Sequence, residues 1–480
     1  MDLLRTKPID TNLTKDTGLK RVLGPVHLTL MGIGAIIGTG IFVLTGIGAA
    51  NYAGPALVLS FLLAGTVCTC AALAYAELAA SIGGSGSAYA YGYAGLGEFP
   101  AWIIGWMLIL EYTIAISAVS LGWSGYVNNA LQAMDWGLPS RLLHSPFDAD
   151  TPGLINLPAS LIILALGGLL LSGAKMSALF NAVVVCIKVS VVLLFIAVAA
   201  FHVDPNNWVP FIPEPALNVR GEAAFGWHGI AAGAAIVFFA YIGFDAVSTA
   251  AEETAKPQRD LPIGILASLG ICTVLYIMVS GLLTGIMNYT LLNTPSPISD
   301  ALLHVGVNWA AGVIALGAIA GLTTVMLVLY YALTRILFAI SRDGLLPRFF
   351  AHISPHTKSP VRAIILMGVI MALISGLIPL GDLAELTNIG TLGAFAVVCA
   401  GVLVLRRARP ELPRPFKVPG GPVLPVLGIL GCLYLMINLQ HTTWLAFLIW
   451  NGIGLLIYFG YSYRGSLLNG GSVAESSGSN

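Results

Sequence analysis

Long apolar runs dominate the chain, and each has about the length of a helix that crosses a membrane. A spanning helix needs roughly 20 mainly apolar residues. Only a few polar residues separate the two spans within 154–201 and within 421–463. The pattern predicts an all-α integral membrane protein with twelve transmembrane helices, at 27–50, 55–81, 100–128, 154–174, 176–201, 228–250, 261–287, 308–338, 361–380, 389–408, 421–440 and 442–463.

Composition excludes a soluble protein. Of 480 residues, 57% are hydrophobic and 9% are charged, whereas a soluble domain carries about 25% charged residues. The net charge of zero gives no sign of nucleic-acid binding. The sequence has neither a nucleotide-binding glycine loop nor a His-Glu-x-x-His motif, so we predict neither an enzyme nor a primary pump.

The cysteines do not indicate a metal or a disulfide. All six fall within apolar runs, where cysteine behaves as a small buried hydrophobe, and we therefore expect no metal or cofactor. They are Cys68, Cys70, Cys186, Cys272, Cys399 and Cys432.

Basic residues fix the predicted orientation. With the N-terminus inside, only Arg141 and Arg220 of the 22 lysines and arginines fall in outer loops, and only Lys188 falls inside a span. Cytoplasmic loops carry an excess of Lys and Arg. We therefore predict cytoplasmic tails at 1–26 and 464–480, a first five-helix repeat at 27–201, a second with its loops at 202–408, and two last helices at 409–463.

The first span holds an unusual density of glycine. Met31-Gly-Ile-Gly-Ala-Ile-Ile-Gly-Thr-Gly-Ile-Phe42 is apolar, yet four of its residues are glycine. A helix that unwinds there exposes backbone groups at membrane depth, which is tolerated only where they line a cavity or bind something. The alternative is that these glycines only permit close helix packing.

The sixth span has a similar feature. Gly243 lies at its middle beside Asp245, and Ala240-Tyr-Ile-Gly243 repeats the Ala-x-Ile-Gly pattern of Ala35-Ile-Ile-Gly38. Interrupted helices in matching positions of two five-span halves are typical of inverted-repeat secondary transporters. Close packing is again the alternative.

These motifs resemble the amino acid–polyamine–organocation superfamily, specifically its cationic amino acid transporter family. The resemblance runs from about residue 18 to 460, and it implies a leucine-transporter-like 5+5 inverted repeat with broken first and sixth helices. The motifs that show the resemblance are Gly32–Phe42, Phe238-Phe-Ala-Tyr-Ile-Gly-Phe-Asp245, Glu252-Glu253 with Pro257–Gly264, and Arg335-Ile-Leu-Phe-Ala-Ile-Ser-Arg-Asp-Gly-Leu-Leu-Pro347.

The two breaks suit the two charged groups of an amino acid. In the first break, Ile37 to Gly40, the N–H groups of Gly38, Thr39 and Gly40 can bind the carboxylate, aided by the positive end of a helix dipole. In the sixth span, free carbonyls of about Phe238, Ala240 and Ile242 can accept from the ammonium. The resemblance assigns the same roles, and it implies that Phe239 gates the pocket from outside.

Four charged residues lie inside spans, where charge is costly and needs a reason. The resemblance implies that Lys188, in the fifth span, couples transport to protons, at the place where sodium-coupled relatives bridge the first and eighth spans. A structural ion pair is the alternative. The resemblance also implies that Glu111 points toward the side chain of a bound substrate. The alternative is that Glu111 forms a structural ion pair.

The remaining candidates have more local expectations. Asp245 is expected to brace the broken sixth helix, and Glu77 to face the cytoplasmic gate or to pair with a basic loop residue. Met326 of the eighth span is a candidate for lining the pocket, although methionine at helical spacing is commonly core packing.

The sequence predicts proton-coupled uptake of cationic or small neutral L-amino acids, or both, by alternating access in the plasma or bacterial inner membrane. The predicted partners are the amino acid, protons and the lipid bilayer, and a monomer is expected because the fold completes its own site. An obligate exchanger is the alternative of the same fold. A nutrient sensor that binds without transporting is a third hypothesis, disfavoured by the short tails.

Overall fold

The structure is a computed structural model that describes residues 5–6, 23–82, 88–132, 134–148, 151–172, 178–218, 223–354 and 359–468. Most of both predicted tails lies outside the described residues, as do Lys175, Arg220 and Lys358. In the described part, the regular secondary structure is helical apart from one short antiparallel pair of strands, Ala216–Leu217 with Ala223–Ala224.

Twelve helical spans, called here the first to the twelfth, confirm the predicted fold class. Among the described residues, eight segments are long and apolar enough to cross a membrane, and four shorter apolar helices complete the set. In order, the spans are Pro25–Ile36 with Gly40–Ala53, Leu57–Ile82, Glu98–Gln132, Leu157–Leu171, Ala178–Ala199, Gly226–Val237 with Phe238–Tyr241 and Phe244–Glu253, Pro257–Ile286, Asn308–Arg342, Val361–Leu377, Leu380–Ala408, Val423–Ile437 and His441–Ile457 continuing to Gly465.

Among the described residues, two short α-helices outside the spans were not predicted. Ala88–Gly95 follows the second span and Pro297–His304 precedes the eighth. Both lie in segments that are too short and too polar to read as membrane runs, and for that reason a search for apolar length misses them.

Burial separates a central group of spans from a peripheral one. The most apolar stretch of the sixth span is 100% buried and that of the third is 94% buried, against 22% for the last helix. Exposed apolar side chains such as Leu161, Val274 and Leu456 cover the outside. Such a surface is stable only in lipid, so the molecule is a multi-pass membrane protein whose broken helices lie at its centre.

The expectation that all six cysteines are buried is wrong for Cys186. Five are buried, but Cys186 of the fifth span is exposed. Its neighbours Val183 and Ile187 are also exposed and apolar. On this surface a side chain contacts lipid, so an apolar run alone does not distinguish a protein-facing thiol from a lipid-facing one.

The side of the molecule that carries Arg5 and Leu468 is closed. A backbone bridge joins Leu23, just before the first span, to Thr254, just after the sixth, and the Ala255 N–H donates to the Leu23 carbonyl over 2.9 Å. The Tyr91 hydroxyl donates to the Ser248 carbonyl over 3.2 Å. The inner halves of both broken spans are therefore held against the rest of the protein.

Candidate functional site

The first span unwinds where the glycines predicted it. Its first half ends at Ile36, Ile37 adopts an extended backbone (ψ 100°), and helical turns resume at Gly40. The first turn of a helix leaves N–H groups without intrahelical acceptors. Those of Gly38 and Thr39 find no backbone acceptor elsewhere in the described ranges. The Thr39 hydroxyl is also buried without a partner there.

The sixth span breaks at the matching position. A tight turn of helix, Phe238–Tyr241, ends at Ile242 with an extended backbone (ψ 137°), and Gly243 takes a φ of +113° before Phe244 resumes. A left-handed φ of this kind strongly favours glycine. Gly243 thus allows a backbone conformation at the break that a residue with a side chain would disfavour.

The two breaks touch each other. A Cβ on Gly243 would lie 2.9 Å from the Ala35 carbonyl oxygen, and a Cβ on Gly40 would overlap the backbone of Ala240. Each glycine therefore meets the alanine of the other span's Ala-x-Ile-Gly sequence. The glycine of the second repeat, Gly243, and the neighbour of the first repeat, Gly40, thus make reciprocal backbone contacts between the halves of the fold, whereas Gly38 itself faces Val325.

The last carbonyls of the first half-helix have external partners. Four carbonyls at a helix end lack intrahelical donors. Lys188 Nζ donates to the Gly34 carbonyl over 2.8 Å and to that of Ile37 over 3.4 Å. The Tyr276 hydroxyl reaches the Ile36 carbonyl at 3.0 Å and the Ala240 carbonyl at 2.9 Å. Its single proton can serve only one of the two at a time.

Lys188 lies fully inside the protein. It is 1% exposed, and its methylene stem packs on Gly321 of the eighth span, where an added Cβ would lie 3.0 Å from it. The ammonium faces the negative end of the first half-helix, which favours a cation. The structure thus brings Lys188 to the junction of the first, fifth and eighth spans, and its contacts are carbonyls, with no salt bridge among the described residues.

Glu111 and Asp245 lie close together. Asp245 accepts a hydrogen bond from the Tyr112 hydroxyl over 3.1 Å. Both carboxylate oxygens of Glu111 are buried without a hydrogen-bond partner in the described part of the chain. A buried carboxylate left unpaired is very unfavourable, so either a proton or a cation must neutralise it.

Glu111 is not at the level of the first break. Gly122, further along the same span, faces the side chain of Thr39. Glu111 precedes Gly122 by about three turns of helix, or about 16 Å. The structure therefore groups Glu111 with Asp245, below the sixth break, and leaves its predicted contact with a substrate side chain as a prediction.

The other predicted residues have defined places. The Glu77 carboxylate accepts from Arg406 Nε over 2.8 Å and from the Val418 N–H over 2.7 Å, so it pairs with a basic residue. Phe239 and Met326 are both buried. The carbonyl predicted free at Ala240 is occupied by Tyr276.

A vestibule of about 410 Å³ opens on the side opposite Arg5 and Leu468. Val43 and Ile47 of the first span, Gly122 of the third and Ile236 of the sixth contribute to its wall. Phe239, one turn beyond Ile236, is not among the described residues that line it. The vestibule therefore ends just above the two breaks, and Phe239 lies between it and the sixth break.

Comparison with known proteins decides the class. The family described as "Amino acid permease" matches residues 23–469. The chain belongs to this family. It is therefore a permease of the amino acid–polyamine–organocation superfamily, a transport protein and not an enzyme.

Several relatives of the permease match over nearly its whole length. It is 50% identical to a branched-chain amino acid permease of Bacillus subtilis and 49% identical to a methylthioribose transporter of the same organism, each over 97% of this chain and 99% of the relative. A vacuolar cationic amino acid transporter of Arabidopsis thaliana is 39% identical over 85% of this chain and 68% of its own.

Sequence reasoning missed two residues that hold the permease's broken spans. Tyr276 bridges both breaks, but one tyrosine in an apolar span carries no signal. Asn388 of the tenth span donates through Nδ2 to the carbonyls of Ala235 (2.7 Å) and Ile236 (3.0 Å). A lone amide inside a span was a usable signal, because a buried polar group needs a partner.

Glu98 was also missed. It is buried at the start of the third span, where Arg5 donates to it over 2.7 and 3.0 Å, and the hydroxyls of Tyr93, Tyr458 and Ser466 also reach it. An acid at a predicted span end reads as a solvated group. Its role in tying the two ends of the chain together appears only in three dimensions.

Proposed function

We propose that the permease takes up cationic or small neutral L-amino acids, or both, together with protons, by alternating access. The observation that carries the proposal is the pair of touching breaks, with the unpaired N–H groups of Gly38 and Thr39 in one and the end of a half-helix in the other. Such N–H groups favour an anion. A zwitterion that bridges the two breaks would satisfy both helix ends at once.

The structure fits an outward-facing state of this cycle. The vestibule reaches the breaks from one side, while the Leu23–Thr254 bridge closes the other. Basic residues concentrate on the closed side, which supports our assignment of that side to the cytoplasm. Release inward would then require the first half-helix, Pro25–Ile36, to leave its contacts.

Lys188 is suited to link that movement to a proton. Burial disfavours the charged form of a lysine, and among the described residues only carbonyls at the end of the first half-helix compensate the charge. Loss of the proton would remove the attraction between the ammonium and the helix end. The half-helix would then be freed to move.

The test of coupling is pH-driven uptake in proteoliposomes by Lys188→Ala and Lys188→Arg. Both variants should insert and fold, and both should lose accumulation driven by an inward proton gradient by at least about tenfold. Arginine keeps the charge but does not release its proton in proteins, so it separates a need for charge from a need for titration. Proton-driven accumulation that survives in Lys188→Arg would refute the coupling role.

Glu111 offers a way to distinguish cationic from neutral substrates. If the carboxylate neutralises a basic side chain, Glu111→Gln should lose arginine, lysine and ornithine binding and keep that of alanine. If the residue serves as a neutral acid, Glu111→Gln should retain neutral substrates nearly unchanged. Thermal-shift screening of the pure protein against the twenty amino acids and ornithine at two pH values measures both cases.

The relatives add candidates to that panel. Valine, leucine and isoleucine belong in it because of the branched-chain permease, and methylthioribose because of the 49% identical relative. Methylthioribose has no carboxylate, so it cannot supply the anion that the N–H groups of Gly38 and Thr39 favour. A shift with methylthioribose alone would contradict the amino acid site. Counterflow with and without internal amino acid separates uptake from obligate exchange.

A further inference from the structure

A second cleft lies at the closed side, away from the transport path. It has a volume of about 560 Å³ and is formed where the eighth span ends and the ninth begins. Its wall holds three arginines and a histidine, and no acidic residue among the described ones. The lining residues are Ser341, Arg342, Arg348, Phe349, Ala351, His352 and Arg362.

Among the described residues, the positive charge of this cleft has no counterion. In the described part of the chain, none of the three arginines forms a salt bridge. The acid adjacent in sequence, Asp343, is buried and accepts from the Tyr89 hydroxyl over 2.8 Å. Three exposed guanidinium groups around one cavity are an arrangement that attracts an anion.

Aromatic rings hold two of the guanidinium groups. The Arg362 guanidinium lies 5.6 Å from the centre of the Phe349 ring, and that of Arg342 lies 5.9 Å from the Phe338 ring. Stacking of this kind orders an arginine without using its N–H donors. The donors remain available for a ligand, and a planar guanidinium fork matches the oxygens of a phosphate.

The cleft continues into the lipid-facing surface. Arg362 is in the first turn of the ninth span, and Ile365, Leu366 and Val369 follow it at helical spacing. All three are exposed, at 52%, 38% and 48%. A phosphate held by Arg362 would therefore have an apolar stripe directly beside it, running toward the membrane interior.

We propose that this cleft binds the headgroup phosphate of an anionic phospholipid from the cytoplasmic leaflet, with the acyl chains along Ile365, Leu366 and Val369. Basic pockets between spans on the cytoplasmic side are suited to anionic headgroups. Free phosphate would use the arginines but leave the apolar stripe unexplained. The lipid would brace the junction of the eighth and ninth spans from outside the transport path.

The experiment compares lipid retention by native mass spectrometry in detergent, with phosphatidylglycerol, phosphatidylcholine and inorganic phosphate as probes. The test variant is Arg342→Gln, Arg348→Gln and Arg362→Gln together. Its matched control removes three exposed charges from the same side, by Arg407→Gln, Lys417→Gln and Arg464→Gln. Each arginine near a membrane surface contributes about fivefold in affinity, so the test variant should bind phosphatidylglycerol about 100-fold more weakly.

The wild type and the control should both retain phosphatidylglycerol in preference to phosphatidylcholine. The proposal would be overturned if the test variant retained phosphatidylglycerol as well as the wild type, or if the control lost as much of it as the test variant. Displacement of the lipid by inorganic phosphate at matched concentration would also overturn it. If the triple variant does not fold, Arg348→Gln alone, in an exposed turn, should still weaken retention about fivefold. An unchanged affinity in that variant would equally overturn it.

Discussion

At the scale of single residues, the hydroxyl of Tyr276 links the two broken spans. Tyr276 contacts the end of the first half-helix through Ile36 and the end of the sixth-span turn through Ala240. Its ring packs against Phe61 and Tyr241, each 5.5 Å away between ring centres. The hydroxyl therefore contacts both breaks, and the packing of the ring holds it in position.

Removing that hydroxyl should affect transport more than stability. Tyr276→Phe keeps the ring and should cost about 1 kcal/mol of unfolding free energy, the usual value of one hydrogen bond. Substrate uptake should fall about tenfold, because the two half-helix ends lose their shared donor. Tyr241→Phe is the matched control, since its hydroxyl donates to the Phe61 carbonyl over 2.8 Å, away from both breaks.

Uptake measured in proteoliposomes, with the thermal unfolding midpoint of each variant, distinguishes the two tyrosines. Similar midpoints with impaired uptake only in Tyr276→Phe are the expected result. Equal uptake by both variants would show that the bridge between the breaks is dispensable.

At the scale of elements, the crossing of the first and sixth spans depends on glycine at a few positions only. Gly243→Ala requires an alanine at a φ of +113° and brings its Cβ within 2.9 Å of the Ala35 carbonyl. Left-handed backbone costs a residue with a side chain about 1–3 kcal/mol, and the close contact adds to that. We expect a lower unfolding midpoint and loss of transport.

Gly281→Ala is the control for that substitution. Gly281 lies inside the seventh span, where an added Cβ would meet only Val58, at 3.6 Å. This substitution should leave the unfolding midpoint and uptake close to wild type, as measured by thermal unfolding in detergent and by proteoliposome flux. A Gly243→Ala protein as stable and active as Gly281→Ala would contradict the required backbone contact.

Local features of this kind are the ones that sequence predicts well. The breaks at Gly38–Gly40 and at Gly243 follow from glycine in an apolar run, a signal contained in a few adjacent residues. The contacts of Lys188 with the Gly34 and Ile37 carbonyls, by contrast, join residues about 150 positions apart. Tyr276 and Glu98 were missed because most of their partners are backbone groups or residues on distant spans, which leave no mark near them in the sequence, whereas the lone amide of Asn388 inside a span was a usable signal.

At the scale of the whole molecule, the closed side is held by contacts between distant parts of the chain. Arg5 near the N-terminus pairs with Glu98 and donates to the Tyr463 carbonyl at the end of the twelfth span. Burial opposes the charge on Arg5, but the hydrogen bond to Glu98 and the nearby negative charge together outweigh this and raise the pKa of Arg5. Arg5 therefore stays charged at any physiological pH.

Loss of Arg5 should loosen the closed side. In Arg5→Ala the buried Glu98 carboxylate keeps only hydroxyl partners, so states open to that side should become more populated. A cysteine at Ser248, which is 1% exposed, should then react with maleimide about threefold faster, in a Cys186→Ser background. Arg464→Ala, which removes an exposed charge from the same region, should leave the labelling rate unchanged. Equal rates in Arg5→Ala and wild type would show that the Arg5–Glu98 pair does not hold this side closed.

The contact between Gly40 and Ala240, and its counterpart between Gly243 and Ala35, has a consequence for how such proteins diversify. The contacts there involve backbone atoms, so the first and sixth spans keep their spacing whatever side chains surround the substrate. Mutation elsewhere in the site can then alter which substrate is carried while leaving the contact between the two spans intact. Relatives about 50% identical to this chain, one named for branched-chain amino acids and the other for a sulfur-containing sugar, are what such an evolutionary separation of cargo from machinery would produce.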